Sequence, residues 1–407
     1  MSFQTGLSGL NAASKNLDVI GNNIANANTI GAKSARAEFT DLVASNIGAG
    51  TGNGSSGIGI GVSIATVSQQ FKQGNVSLTG NNMDLAIDGN GFFQVKQTDG
   101  TTAYTRDGQF KLDSVGNIIT NTGAKLLGFP TDLLGNATSV TPQPLVVPTG
   151  APIPASATSI IAAEFNVNAS SPIAASAVPP TPYTTYGTSL TAYDAQGIAI
   201  PVSLYFVKTA SNSWNVYTGD PAAPTSTPVL TTMTFSSSGA LTAPATPQPL
   251  VVAAVAGVHG AVNATLDLSK ATQFGTNFAV TNLTQNGYTA GSLTGFNIDE
   301  KGVITTRYSN GQTQARGQVL LADFRNAQGL KPLGSGTWVE TNTSGQPVLG
   351  PPGVGSLGGL RSGALEDSNV DLTAELVNMM TAQRNYQANA QTIKTQDQAM
   401  QTLVNLR

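Results

Sequence analysis

Hydrophobic positions along this chain follow two rhythms, and the change between them falls close to the two ends. From Leu372 onward, residues recur at alternating spacings of four and three: Leu372, Leu376, Met379, Gln383, Tyr386, Ala390, Ile393, Asp397, Met400 and Val404. Eight of these ten are apolar, and no glycine or proline interrupts residues 364–407. The pattern predicts one long helix carrying a heptad seam. Asp367, Ser368, Asn369 and Asp371, just ahead of it, are helix-start residues. At the other end Phe3, Leu7, Leu10, Ser14, Leu17, Gly21 and Ile24 keep the same spacing, widened by Ala13 and Ile20. They predict a helix within residues 1–30. Gln383 and Asp397 on the C-terminal seam suit a place where several helices meet in a larger bundle better than an isolated dimer.

Between the ends the period drops to two. Runs such as 202–207 and 214–217 alternate apolar and polar residues and predict β-strands. Asp88-Gly89 and Asn90-Gly91 inside residues 85–95 are a hairpin signal, and Asp107-Gly108 and Gly116-Asn117 punctuate 104–120 in the same way. Residues 296–304 repeat the strand–turn–strand rhythm.

Charge divides this β region further. Residues 141–285 hold only six charged side chains, Glu164, Asp194, Lys208, Asp220, Asp267 and Lys270, and proline-dense patches mark 141–154, 172–182 and 221–228. The reading is an inserted outer β-domain over 145–285, within a middle β-domain made of 71–144 and 286–345. Glycine-rich connectors over 31–70 and 346–363 include the candidate hinges 48–61 and 350–359. The helices at 1–30 and 364–407 are amphipathic, and neither has a partner nearby in sequence. Pairing them with each other brings the chain ends together, so the domains are nested. The fold class is therefore multidomain and mainly β, with the terminal α-helices pairing as a coiled-coil core.

Composition narrows the chemistry. The 407 residues include no cysteine and a single histidine, His259, which excludes disulfides, thiol catalysis and clustered His or Cys metal sites. Charged residues make up 10%, far below the usual share, and the net charge is -3 with no basic block. Nucleic acid and acidic membrane surfaces are poor partners for such a chain. No run is long enough to span a bilayer, and residues 1–6 lack the features of a cleaved secretion signal. The glycines at 48–61 lack the Gly-Lys-Ser/Thr tail of a phosphate loop. Asp84, Asp88 and Asp113 sit in turn contexts without the distal glutamate of a calcium loop. Glu164 and Asp194 could be drawn as a carboxylate pair, but any two carboxylates could. No cofactor, metal or catalytic residue is expected.

Residues 8–13 (Ser-Gly-Leu-Asn-Ala-Ala) and 17–31, with Asn22, Asn23, Ile24, Ala25, Asn26 and Asn28 at their centre, resemble the signature of the bacterial flagellar rod and hook family. Asn369-Val370-Asp371-Leu372, Glu375-Leu376-Val377, Met380, Gln383–Asn389 and Ile393 resemble the family's C-terminal tail. Residues 88–93 and 104–110 resemble its shared β-domain. One departure is Ala32, where the family carries an aromatic before the lysine. The resemblance covers about 1–140 and 286–407, and the insertion at 145–285 looks like that of the hook-forming members. It implies an exported, self-assembling structural subunit of a curved tube joining rod to filament. The implied partners are copies of itself, a hook cap protein, a distal rod protein, a hook–filament junction protein and the export apparatus. The implied location is the extracellular flagellum, reached without a cleaved signal peptide. The seam residues would then be the polymer interface. Other readings are a distal rod or hook-associated protein and, from another class, a secreted β-rich carbohydrate-binding or adhesin protein.

Overall fold

The computed structural model describes residues 2–43, 59–150, 152–174, 176–177, 180–181, 185–219 and 229–405. Helix α1 spans Ser2–Ala25 and helix α2 spans Leu372–Asn405, and the described segments between them are mainly β-strands. The candidate hinge at 48–61 lies largely outside the described residues. Its flanks are not coil. β1 (Ala35–Val43) and β2 (Gly59–Gln69) form an antiparallel ribbon from Ala35↔Gln69 to Val43↔Gly59. The expected connector is therefore in good part a strand pair, because Ala37, Phe39, Ile64 and Val67 supply apolar positions that glycine counting overlooks.

The chain divides into two compact units. One comprises Met1–Gly150, Phe296–Thr306 and Gln314–Arg407, and the other Ala151–Gly295 and Arg307–Thr313. The segment expected as the insert, 145–285, is thus shifted at both edges. Leu145 and Val147 are buried in the first unit, where Leu145 N–H donates to Leu126 O at 3.0 Å and Val147 N–H to Gly116 O at 2.8 Å. Tyr288 and Gly291 bridge to Ser156 and Ile153, which keeps 286–291 in the second unit.

In the first unit the strands Lys125–Phe129, Phe92–Lys96, Thr102–Thr105, Thr337–Val339 and Lys331–Gly334 lie in that order. Phe92, Tyr104, Phe324, Leu330 and Trp338 form a core on this sheet, with Phe71 edge-on to Phe92 and Trp338. Two short pairings join distant parts of the chain: Leu85–Asp88 with Gly359–Ser362, and Val76–Leu78 with Ala364–Glu366. Residues 364–371 therefore do not belong to the C-terminal helix. Ala364, Leu365 and Glu366 are all buried in that strand pair, and Asp371 begins α2 by accepting N–H bonds from Thr373 and Ala374.

The second unit packs two five-stranded sheets around one core. One sheet is a meander over Thr185–Tyr193, Ala199–Ala210, Ser213–Tyr217, Val229–Phe235 and Leu241–Ala243; the other centres on Ile160–Asn168. Period-two burial along Ile160–Asn168 turns Ile161, Ala163, Phe165 and Val167 inward against Leu204, Phe206 and Trp214. Four turns across the two units share one chemistry. Asp113, Asp132, Asp194 and Asp299 each accept the N–H two and four residues on, at 2.8–3.0 Å. Glycine stands three residues after each aspartate, with φ between +78° and +96°.

Candidate assembly interface

The two helices run antiparallel within the first unit. Gly6 faces Ile393, Gly9 faces Asn389 and Asn23 reaches Glu375. The approach is close. A Cβ on Gly6 would lie 3.1 Å from Ile393 Cγ1, and one on Gly9 would lie 2.8 Å from Asn389 Oδ1. The face of α1 that is buried carries Gly6, Ala12, Ala13, Ile20 and Asn23, and its counterpart on α2 is Ala382 with half-buried Met379, Asn389 and Ile393.

This is not the stripe the spacing predicted. Phe3 and Leu7 are 51% and 44% exposed, while Leu10, Leu17 and Ile24 are half-buried. On α2, Leu372, Leu376, Tyr386 and Met400 are exposed, and the side chain of Val404 lies outside the described residues. Met379 and Ile393 on α2, and Ala13 and Ile20 on α1, belong to both the predicted and the observed seam. The helix pair closes on small residues one position round from the large ones, since glycine and alanine permit backbone contact that leucine would block. The large apolar side chains are left outward, joined on α2 by Val377 and Met380. The β1–β2 ribbon against α1 adds exposed Phe39, Leu42, Ile64 and Val67. Large apolar side chains left exposed together in this way mark an interaction surface.

The roots of both helices are fastened by buried polar groups. Asn23 donates Nδ2–H to Ala35 O and accepts Ala35 N–H on Oδ1, both at 2.8 Å, imitating a strand neighbour for β1. Asn369 does the same work from the other end: its Oδ1 accepts Ser34 N–H at 2.7 Å, and its Nδ2 donates to Gln70 O at 2.7 Å and Lys72 O at 3.0 Å. Asn26 donates to Asn22 O at 3.0 Å and closes the end of α1, where Ala25 and Asn28 are exposed. Three of the six signature residues, Asn22, Asn23 and Asn26, therefore act through hydrogen bonds at the end of α1.

Beneath these amides lies a charged cluster. Glu366 binds Lys33 Nζ at 2.5 Å and Arg106 Nη1 at 3.0 Å, with all three side chains at most 4% exposed. Glu366 Oε1 also accepts Gly74 N–H at 2.8 Å. Lys33 donates to Lys72 O, and Arg106 to Gly89 O, each at 2.9 Å; the Arg106 guanidinium lies 5.3 Å above the Phe92 ring. Burial pushes the Lys33 ammonium below the usual lysine range, against the pull of Glu366. Gly31 passes so near that a Cβ would be 2.6 Å from Arg106 C, with φ at +68°. Spacing did not single out this cluster.

The residues weighed for chemistry are elsewhere and apart. His259 is half-buried, with Nδ1 at 2.8 Å from Gly260 O. Glu164 pairs with Lys270, and Asp194 is spent on its turn and on Gly260 N–H. Asp84 accepts Thr79 Oγ1–H at 2.7 Å. Among the described residues no three His, Cys, Asp or Glu groups stand close enough to hold a metal, and no helix is long and apolar enough to cross a membrane.

Four family models match the chain: flagella basal body rod protein over 3–33, flagellar hook protein FlgE/F/G D1 domain over 86–169, flagellar basal body protein FlaE D2 domain over 166–288, and flagellar basal body rod FlgEFG protein C-terminal over 361–406. The chain is 43% identical to the flagellar hook protein FlgE of Escherichia coli K12 over 421 aligned positions, with 100% of both chains covered. It is 42% identical to that of Salmonella typhimurium LT2, again over all of both chains, and 32% identical to that of Borreliella burgdorferi, covering 100% of this chain and 99% of that one. The crystal structure of Helicobacter pylori flagellar hook protein FlgE2 shares the fold, with a TM-score of 0.54 at 14% identity over 71% of this chain and 100% of that one. Full-length similarity to hook proteins, joined to paired terminal helices around nested β-units, places this chain in the flagellar hook protein FlgE family, as a structural subunit of the hook.

Proposed function

We propose that copies of this chain polymerise through the outward apolar faces of α1 and α2 into a curved tube that links rod to filament and transmits torque. The observation that carries the reading is the stripe of large apolar residues on both helices that the single chain leaves uncovered, from Phe3 and Leu7 to Leu372, Leu376 and Met400. Burying such surface between copies is favourable, while the β-units keep cores of their own. Sites on two sides of one subunit that join head to tail generate an open helical assembly when the rotation between copies does not close into a ring. The partners proposed beside itself are the hook cap protein during assembly, the distal rod protein, the hook–filament junction protein and the export apparatus. Export without a cleaved signal to the cell exterior belongs to the same proposal. A cysteine-free chain of low charge is suited to threading a narrow channel unfolded and folding outside. The test is electron microscopy and sedimentation of the purified full chain: tubes of repeating subunits are expected, and a protein that stays monomeric at high concentration overturns the reading.

A further inference from the structure

A cleft of about 440 Å³ lies between α1, β1 and α2, lined by Asn16, Ile20, Asn23, Arg36, Glu375 and Asn385 among others. Glu375 is its unfinished member. Its Oε1 accepts Asn23 Nδ2–H at 3.3 Å, but its Oε2 is buried without a hydrogen-bond partner. Leaving a buried carboxylate oxygen unsatisfied is costly, so a donor is wanted here. Arg36, the cation in the cleft, is engaged with Glu38 at 3.0 Å.

The same helix carries a cation in the complementary condition. Arg384 is exposed and makes no ion pair among the described residues. Nine positions separate it from Glu375, about two and a half turns, so the two side chains leave α2 on opposite faces, about 13.5 Å apart along the axis. Exposed Met380 and Val377 precede Arg384 on its own face, one and two turns earlier. We infer that the cleft receives the outer face of α2 from a second copy, with the incoming Arg384 supplying the donor that Glu375 lacks.

Three features favour a second copy as the occupant. The charges are opposite, neither makes an ion pair among the described residues, and they lie on opposite faces of one element. A contact between opposite faces is heterologous, so it can repeat from copy to copy, as a growing polymer requires. Val377 and Met380 would meet the Ile20 side of the cleft, and the asparagines lining it can bond the glutamines around Arg384. The inference rests on the assembly reading above and names the contact that reading leaves open.

Mixing of variants tests it. Glu375→Arg and Arg384→Glu should each raise the concentration needed for polymer formation about tenfold or more, the scale expected for breaking a desolvated charge pair. A mixture of the two should polymerise, because strict alternation places opposite charges at every contact. Neither an intrachain role for Glu375 nor a general loss of solubility gives that complementation. For a variant that disturbs the helix pair itself, Glu375→Gln and Arg384→Gln give a double-mutant cycle in which coupled losses support the pair and additive losses overturn it. If Arg36→Gln copies Glu375→Gln and mixing rescues nothing, the donor lies within the chain and the inference falls. Charge-reversal variants that assemble normally beside an assembling parent overturn this contact alone. A parent that forms no polymer overturns the assembly reading and the contact with it.

Discussion

Lys33 and Glu366 stand 333 positions apart in the chain, yet Nζ and Oε1 meet at 2.5 Å with both side chains all but sealed from water. One lies just after α1 and the other just before α2. Their contact ties the roots of both helices to the first β-unit at one point, and Arg106 at 3.0 Å from the second carboxylate oxygen ties in the turn after Thr102–Thr105. Arg106 also presses on Phe92, so the charged cluster and the aromatic core share a wall.

Removing the carboxylate charge from this cluster leaves two buried cations facing each other. Glu366→Gln is therefore expected to cost about 3–5 kcal/mol, the range for breaking a buried pair from one side. Urea unfolding followed through Trp338, in the neighbouring core, measures it. A loss below about 1 kcal/mol, the scale of an exposed pair, would show that water reaches the cluster.

Acid sensitivity follows from the aspartate turns. Gly260 N–H first, then Ile198 and Gln196, hold the Asp194 carboxyl below its ordinary range. Asn117 and Asn136 act in the same direction on Asp113 and Asp132. A carboxyl lowered on folding contributes stability above its unfolded value and loses it as pH falls through the folded one. Stability should thus decline below about pH 4, where free carboxyls begin to protonate. Asp194→Asn should lower the urea midpoint at neutral pH and flatten its acid dependence.

Ala32 lines a recess of about 230 Å³ beside Asn22, Asn26, Lys33 and Trp338. Ala32→Tyr should fill part of the recess and raise stability by about 0.5–2 kcal/mol, as filled cavities commonly do. Differential scanning calorimetry of the full chain reads the shift, and a lower Tm would mean that the recess is too shallow for a ring.

Leu376 is 51% exposed in the single chain, so a charge there is harmless until copies meet. Leu376→Asp should keep the monomer's circular dichroism and abolish sedimentable polymer, because the carboxylate would be buried unpaired between subunits. Normal tubes from this variant would remove α2's outer face from the interface.

The chain has two tryptophans, and each compact unit holds one: Trp338 in the first and Trp214, fully buried, in the second. Domains with their own cores unfold independently. Trp338→Phe should leave a fluorescence transition from Trp214 that survives in an excised segment of residues 151–295. An unfolded excised segment would show that the second unit depends on the first.

The two helices, the mainly β character of the described segments between them and the nested order could be read from the chain alone, because periodicity reports which face of an element avoids water. Two of the four aspartate turns, at Asp113 and Asp299, were legible for the same local reason, because Asp and Gly three residues apart carry their conformation with them. What spacing could not reveal was which partner covers which face. Leu7 and Leu376 form regular stripes, yet the chain closes on Gly6, Gly9, Ala13 and Ala382, whose small size is silent in a hydrophobic pattern but decides how near two backbones come. The edges of the inserted unit moved because Leu145, Val147, Tyr288 and Gly291 take their hydrogen bonds from residues remote in sequence. Above all, Lys33, Arg106 and Glu366 read as three scattered charges. Only the tertiary fold brings them into one dry space, where Glu366 and the surrounding carbonyls offset the cost of burying two cations that repel each other.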